Sequence, residues 1–97
     1  MVRDSTSALA ALEAELTEER SVSLFRSGRA VEHALSRCTS LLERLAGAPH
    51  DAELLAEYRE ARQAFLQVQW AYCVQREAVG LYEHSWVHRT CPTPPAR

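Results

Sequence analysis

Gly47-Ala48-Pro49-His50-Asp51 divides the chain into halves of nearly equal length, and its reading decides the fold. Glycine readily ends a helix in the left-handed conformation, Pro49 stops that helix from resuming, and His50 or Asp51 opens the next one. Asp51, Glu53 and Glu57 then set negative charge near the new N-terminus, the favourable end of the helix dipole.

Upstream of this turn, Leu24, Gly28, Val31, Leu35, Cys38, Leu42 and Leu45 recur at alternating steps of four and three, the pattern of one continuous apolar seam. Further back, Leu9, Leu12 and Leu16 reach Leu24 only through Arg20, so Thr17-Glu18-Glu19-Arg20-Ser21 marks an irregularity. Without proline or glycine there, one long helix is favoured, and a break near residues 17–22 is the alternative that makes three helices. Downstream, Leu54, Tyr58, Ala61, Phe65, Val68, Tyr72, Gln75, Val79, Tyr82 and Trp86 keep the same spacing. A single helix over residues 51–89 is expected, with Gly80 inside it at a cost of about 1 kcal/mol relative to alanine. The fold class expected is therefore all-α, a long antiparallel helical hairpin of residues 5–46 and 51–89. It forms one domain over residues 1–91, followed by a flexible Pro-rich tail at 92–97.

Composition narrows the function. The chain has 97 residues, room for one domain whose core is small enough that association is an expected source of added stability. Eleven basic against thirteen acidic residues give a net charge of -2, which argues against a broad nucleic-acid surface. Every basic residue is arginine, a usage that fits a coding bias as readily as a demand for the guanidinium fork. The opening residues lack the apolar core of a secretory signal, and no apolar run approaches the ~20 residues that span a bilayer. Three cysteines without a CxxC pair argue against a disulfide framework. In the expected hairpin Cys38 stands opposite Arg59 and Cys73 opposite Leu24, about 21 Å of helix apart, which excludes a bond between them. A soluble, intracellular protein without a cofactor is expected.

The later helix carries a second stripe. Leu66, Trp70, Cys73, Val74 and Leu81 fall nearly opposite its seam, and one antiparallel neighbour covers only one face. This stripe is the expected association surface, with Trp70 at its centre. Two hairpins then pair into a four-helix bundle, or the chain joins a hetero-complex. A basic line, Arg26, Arg29, His33, Arg37 and Arg44, is a candidate docking stripe for an acidic partner, against the ordinary reading of a solvated helix face.

Chemistry finds little support. His84, His88 and Cys91, with Glu13 opposite His84, have permissive metal-ligand spacing, yet neither HExxH nor paired cysteines accompany them. His33 and Cys38 are about 140° apart around a helix, too far to act as base and nucleophile. Arg20 and Gln75 are the residue types with which a small helical dimer would hold an anionic small molecule and act as an enzyme by electrostatic stabilisation. The favoured expectation is a non-enzymatic protein–protein interaction or structural subunit. The helical enzyme and the metal-binding protein are its alternatives.

Overall fold

The computed structural model describes residues 2–97, with side-chain surroundings from residue 7 onward. Among the described residues the chain is all-α: α1 spans Val2–Gly47, α2 spans Ala52–Ala78, α3 spans Ser85–Thr90, and there is no strand. No helix among them is long and apolar enough to cross a membrane.

α1 runs unbroken through residues 17–22, so the third helix does not arise there. Thr17 Oγ1 donates to the Glu13 carbonyl at 2.9 Å and Ser21 Oγ to that of Thr17 at 3.0 Å, satisfying both hydroxyls on the helix's own backbone. The reversal comes where the glycine and proline require it. Ala48 N donates to Leu45 O, and Asp51 caps α2 by accepting from Leu54 N at 3.0 Å. α1 and α2 pack antiparallel around Val31, Cys38, Leu41, Leu45, Leu54, Tyr58, Ala61 and Phe65. Ser23 Oγ, donating to Gln75 Oε1 at 3.2 Å, is the link farthest from the turn. Gly28 lets the helices close here: a Cβ at this position would lie 3.3 Å from Tyr72 Cε1.

The single helix expected over residues 51–89 is not formed, because α2 ends at Ala78. Gly80 adopts φ +89°, Leu81 N donates to Arg76 O at 2.9 Å, and Gly80 N donates to Glu77 O at 3.0 Å. This is the Schellman arrangement, in which a left-handed glycine lets the last carbonyls find donors. Val79, Tyr82 and Trp86, expected in the hairpin seam, are instead exposed around this corner. The chain turns back, α3 begins with Glu83 Oε1 accepting from Ser85 N at 2.7 Å, and Val87 becomes fully buried. It lies beside Gly28, Val31 and Tyr72.

Beyond α3 the Pro-rich tail, expected to hang free, is tied along α2. Gln69 Nε2 donates to Cys91 O at 3.2 Å, Arg62 Nε to Pro94 O at 2.9 Å, Tyr58 Oη to Pro95 O, and Arg59 Nε to Arg97 O at 2.8 Å. Prolines bring carbonyl acceptors without N–H donors, so a row of side-chain donors on α2 is what such a segment needs. Residues 81–97 thus form a strap in one groove of the hairpin, and among the described residues no buried side-chain polar atom lacks a partner.

Candidate interaction surface

The early reversal leaves α1 far longer than its neighbours. Its 46 residues, at ~1.5 Å each, account for the 72 Å length of a molecule only 23 × 14 Å across. α2 leaves α1 near Ser23, and every described residue from 7 to 23 is exposed. Leu9, Leu12 and Leu16 on this overhang are 60, 52 and 42% exposed, and among the described residues no other part of the chain covers them. Contiguous apolar faces of this kind mark interaction surfaces more often than solvent-adapted ones.

The overhang also has a sign. Residues 7–19 contain Glu13, Glu15, Glu18 and Glu19 and no basic residue. The candidate stripe Arg26, Arg29, His33, Arg37 and Arg44 lies farther along the same helix, all of it exposed. Arg29 pairs with Glu32 at 3.0 Å; among the described residues Arg26, Arg37 and Arg44 form no ion pair. One line at steps of three and four joins the two halves, from Leu9, Leu12 and Leu16 through Glu19, Ser23, Arg26 and Ala30 to His33 and Arg37. α1 is therefore acidic toward one end and basic toward the other along a line that meets α2 at Ser23, through its bond to Gln75, and whose other named residues, half-buried Ala30 apart, are exposed.

The five residues of the expected association stripe separate. Trp70, at 70% exposure, and Val74 stand on the outer face of α2, where Trp70 joins Gln63, Leu66, Gln67 and Ala71 around a shallow depression. Leu66 and Cys73 are half-buried, Leu66 by packing against the core. Leu81 lies past the end of α2, on the corner made by Gly80, and is not on the same helical face. The sequence expectation of a hairpin with no further element to flank α2 made no provision for the strap.

The metal candidates are parted by the same corner. Because residues 84–91 run back beside Gly28 and Glu32, Glu13 on the overhang has no counterpart from that segment. His84 Nδ1 accepts from Arg76 Nε at 3.4 Å and its Nε2 meets Glu77 Oε1 at 3.0 Å. Cys91 packs against the hairpin core, where burial pushes its thiol pKa up and nearby Glu32 adds to the effect, while His88 is exposed. No group of three or more His, Cys, Asp and Glu side chains among the described residues is placed to hold a metal ion. Arg20 and Gln75 do come together, with Ser23, Ala78 and Val79, but in an open notch where α2 departs from α1. All three cysteines are free.

The signals for the overhang, three leucines and four glutamates, stand in the sequence, but a hairpin of residues 5–46 and 51–89 gives that stretch a neighbour along its whole length. No protein-family model matches the chain, and neither a curated protein nor a solved structure matches it.

Proposed function

We propose that this chain is a binding module rather than a catalyst: a helical hairpin that holds out the overhang of α1 for a partner protein. The observation that carries this reading is the exposure of Leu9, Leu12 and Leu16 on a helix that continues well beyond the end of α2. Propensity alone gives an unaccompanied helix little stability in water, and packing of its apolar face is the usual source of the rest. Trp70 and Val74 on the outer face of α2 supply a second, smaller contact surface of the kind enriched at the centres of interfaces.

A photo-crosslinking amino acid placed at Leu12, at Trp70 and, as a control, at exposed His50 tests the reading in the native cell. Discrete adducts from position 12 that position 50 does not give are the expected result. Equal yields at 12 and 50 would remove the case for a binding overhang. A companion variant, Trp70→Ala, should leave the unfolding free energy within ~0.5 kcal/mol of the parent, because the ring is mostly solvated. It should weaken any partner seated on that face by ~2 kcal/mol or more, about thirtyfold. A large loss of stability without loss of affinity would make Trp70 a packing residue.

A further inference from the structure

We propose that the partner on α1 is a second copy of this chain, with the two α1 helices antiparallel and the overhang of each lying along residues 26–40 of the other. The inference rests on the binding-module reading and names the occupant of that surface.

Charge and apolar spacing together select this arrangement. A second copy lying parallel and in register puts Glu13 on Glu13 and Arg37 on Arg37, repulsive at both ends. Pairing the two overhangs alone, antiparallel about a point between Leu12 and Leu16, brings Glu13 opposite Glu15 and leaves the arginines unused. Moving the two-fold axis to a point between Leu24 and Phe25 reverses the outcome. Leu12 then faces Arg37 of the second copy, Leu16 faces His33, and Leu9 faces Ser40. In the same register Glu15 and Glu19, which lie on the side of α1 that carries His33 and Arg37, come within one residue of His33 and Arg29 respectively. The apolar stems of the arginines cover leucine while their heads reach the glutamates. Two-fold symmetry makes every one of these contacts twice.

The surface needed is open. The strap lies beside Gly28, Val31 and Glu32 of α1 at one end and beside Leu42, Leu45 and Ala46 at Arg97, and Glu32 lies about 140° around the helix from Arg37. Overlap from Leu9 to Ser40 gives roughly 46 Å of helix-on-helix contact. The product has two α1 helices at the centre and one α2 beside each, a four-helix assembly that keeps both straps outside.

Charge exchange tests the orientation directly. One variant carries E13R, E15R and E19R; the other carries R26E, R29E and R37E; every altered side chain is exposed. Sedimentation equilibrium on the full chain should find the parent dimeric and each variant alone weakened at least ~100-fold by self-repulsion. Mixed one to one, they should form a heterodimer of near-parental affinity, because each basic overhang meets an acidic stripe and each acidic overhang a basic one. Circular dichroism and protection of Cys38 from alkylation verify that both variants remain folded. A parent that stays monomeric to millimolar concentration, variants that dimerise as tightly as the parent, or a mixture that does not pair would each overturn the proposal. If position 12 crosslinks to a protein of another mass while the parent is monomeric, the binding-module reading stands and the second copy falls. If it crosslinks to nothing, both fall.

Discussion

Cys38 and Tyr58 sit against the same stretch of the hairpin core, both with no exposed surface, and both hold their protons more tightly than in water. Burial raises the Cys38 thiol pKa, with Arg37 and Arg62 opposing it. Burial also raises the Tyr58 phenol pKa, and the neighbouring Cys38 adds to the shift against Arg62 and Arg97. Burial lifts Cys73 in the same direction. In each case the folded state retains the proton at a pH where the unfolded chain has begun to release it. The stability they contribute is complete below the unfolded thiol value, ~8.5, and is lost as pH rises above it through the raised folded values of the thiols and the phenol. Urea midpoints should therefore be insensitive to these groups from pH 6 to 8 and decline above pH 9. Cys38→Ala should flatten the alkaline slope, whatever its effect on the absolute midpoint. An unchanged slope would place the alkaline sensitivity elsewhere.

At the level of elements, Gly80 decides where α2 ends, and with it the path of the strap. Alanine at a φ of +89° is strained by roughly 1–2 kcal/mol. Gly80→Ala should loosen residues 81–97, which is measurable as faster alkylation of half-buried Cys91 while Cys38 stays protected; equal protection of Cys91 in parent and variant would show that the corner tolerates a side chain. The hairpin itself was legible in the sequence. The Gly47 to Asp51 turn and the seam spacing put Cys73 opposite Leu24, and the Ser23–Gln75 bond lies within one residue of that register. Gly80 was not legible, because Val79, Tyr82 and Trp86 preserve helical spacing across it. Spacing records which residues can share a face, not whether the chain remains helical long enough to use it. The strap was hidden for a different reason. Its attachment depends on Tyr58, Arg59, Arg62 and Gln69 donating to carbonyls of a segment that has no periodicity to read. Among the surface candidates, the basic line and exposed Trp70 stand where spacing put them, while Leu81 was displaced by the corner and the metal cluster was dispersed by it.

For the molecule as a whole, support is distributed unevenly along its length. Residues 24–78 and the strap share one core, whereas residues 7–20 rely on the intrinsic helicity of Ala, Leu and Glu. The unaccompanied helix should consequently melt as a separate thermodynamic unit. In a dilute sample, calorimetry should record a broad absorption of heat at low temperature, where the overhang frays without cooperativity, followed by a sharper peak from the hairpin. The enthalpy inferred from the steepness of that peak should then disagree with the total integrated heat. Loading the cell at higher concentration should draw the early heat into the main peak and move it upward, since association favours the folded form by mass action. A single concentration-independent transition, with equal calorimetric and van't Hoff enthalpies, would mean that the extended end of α1 melts with the core.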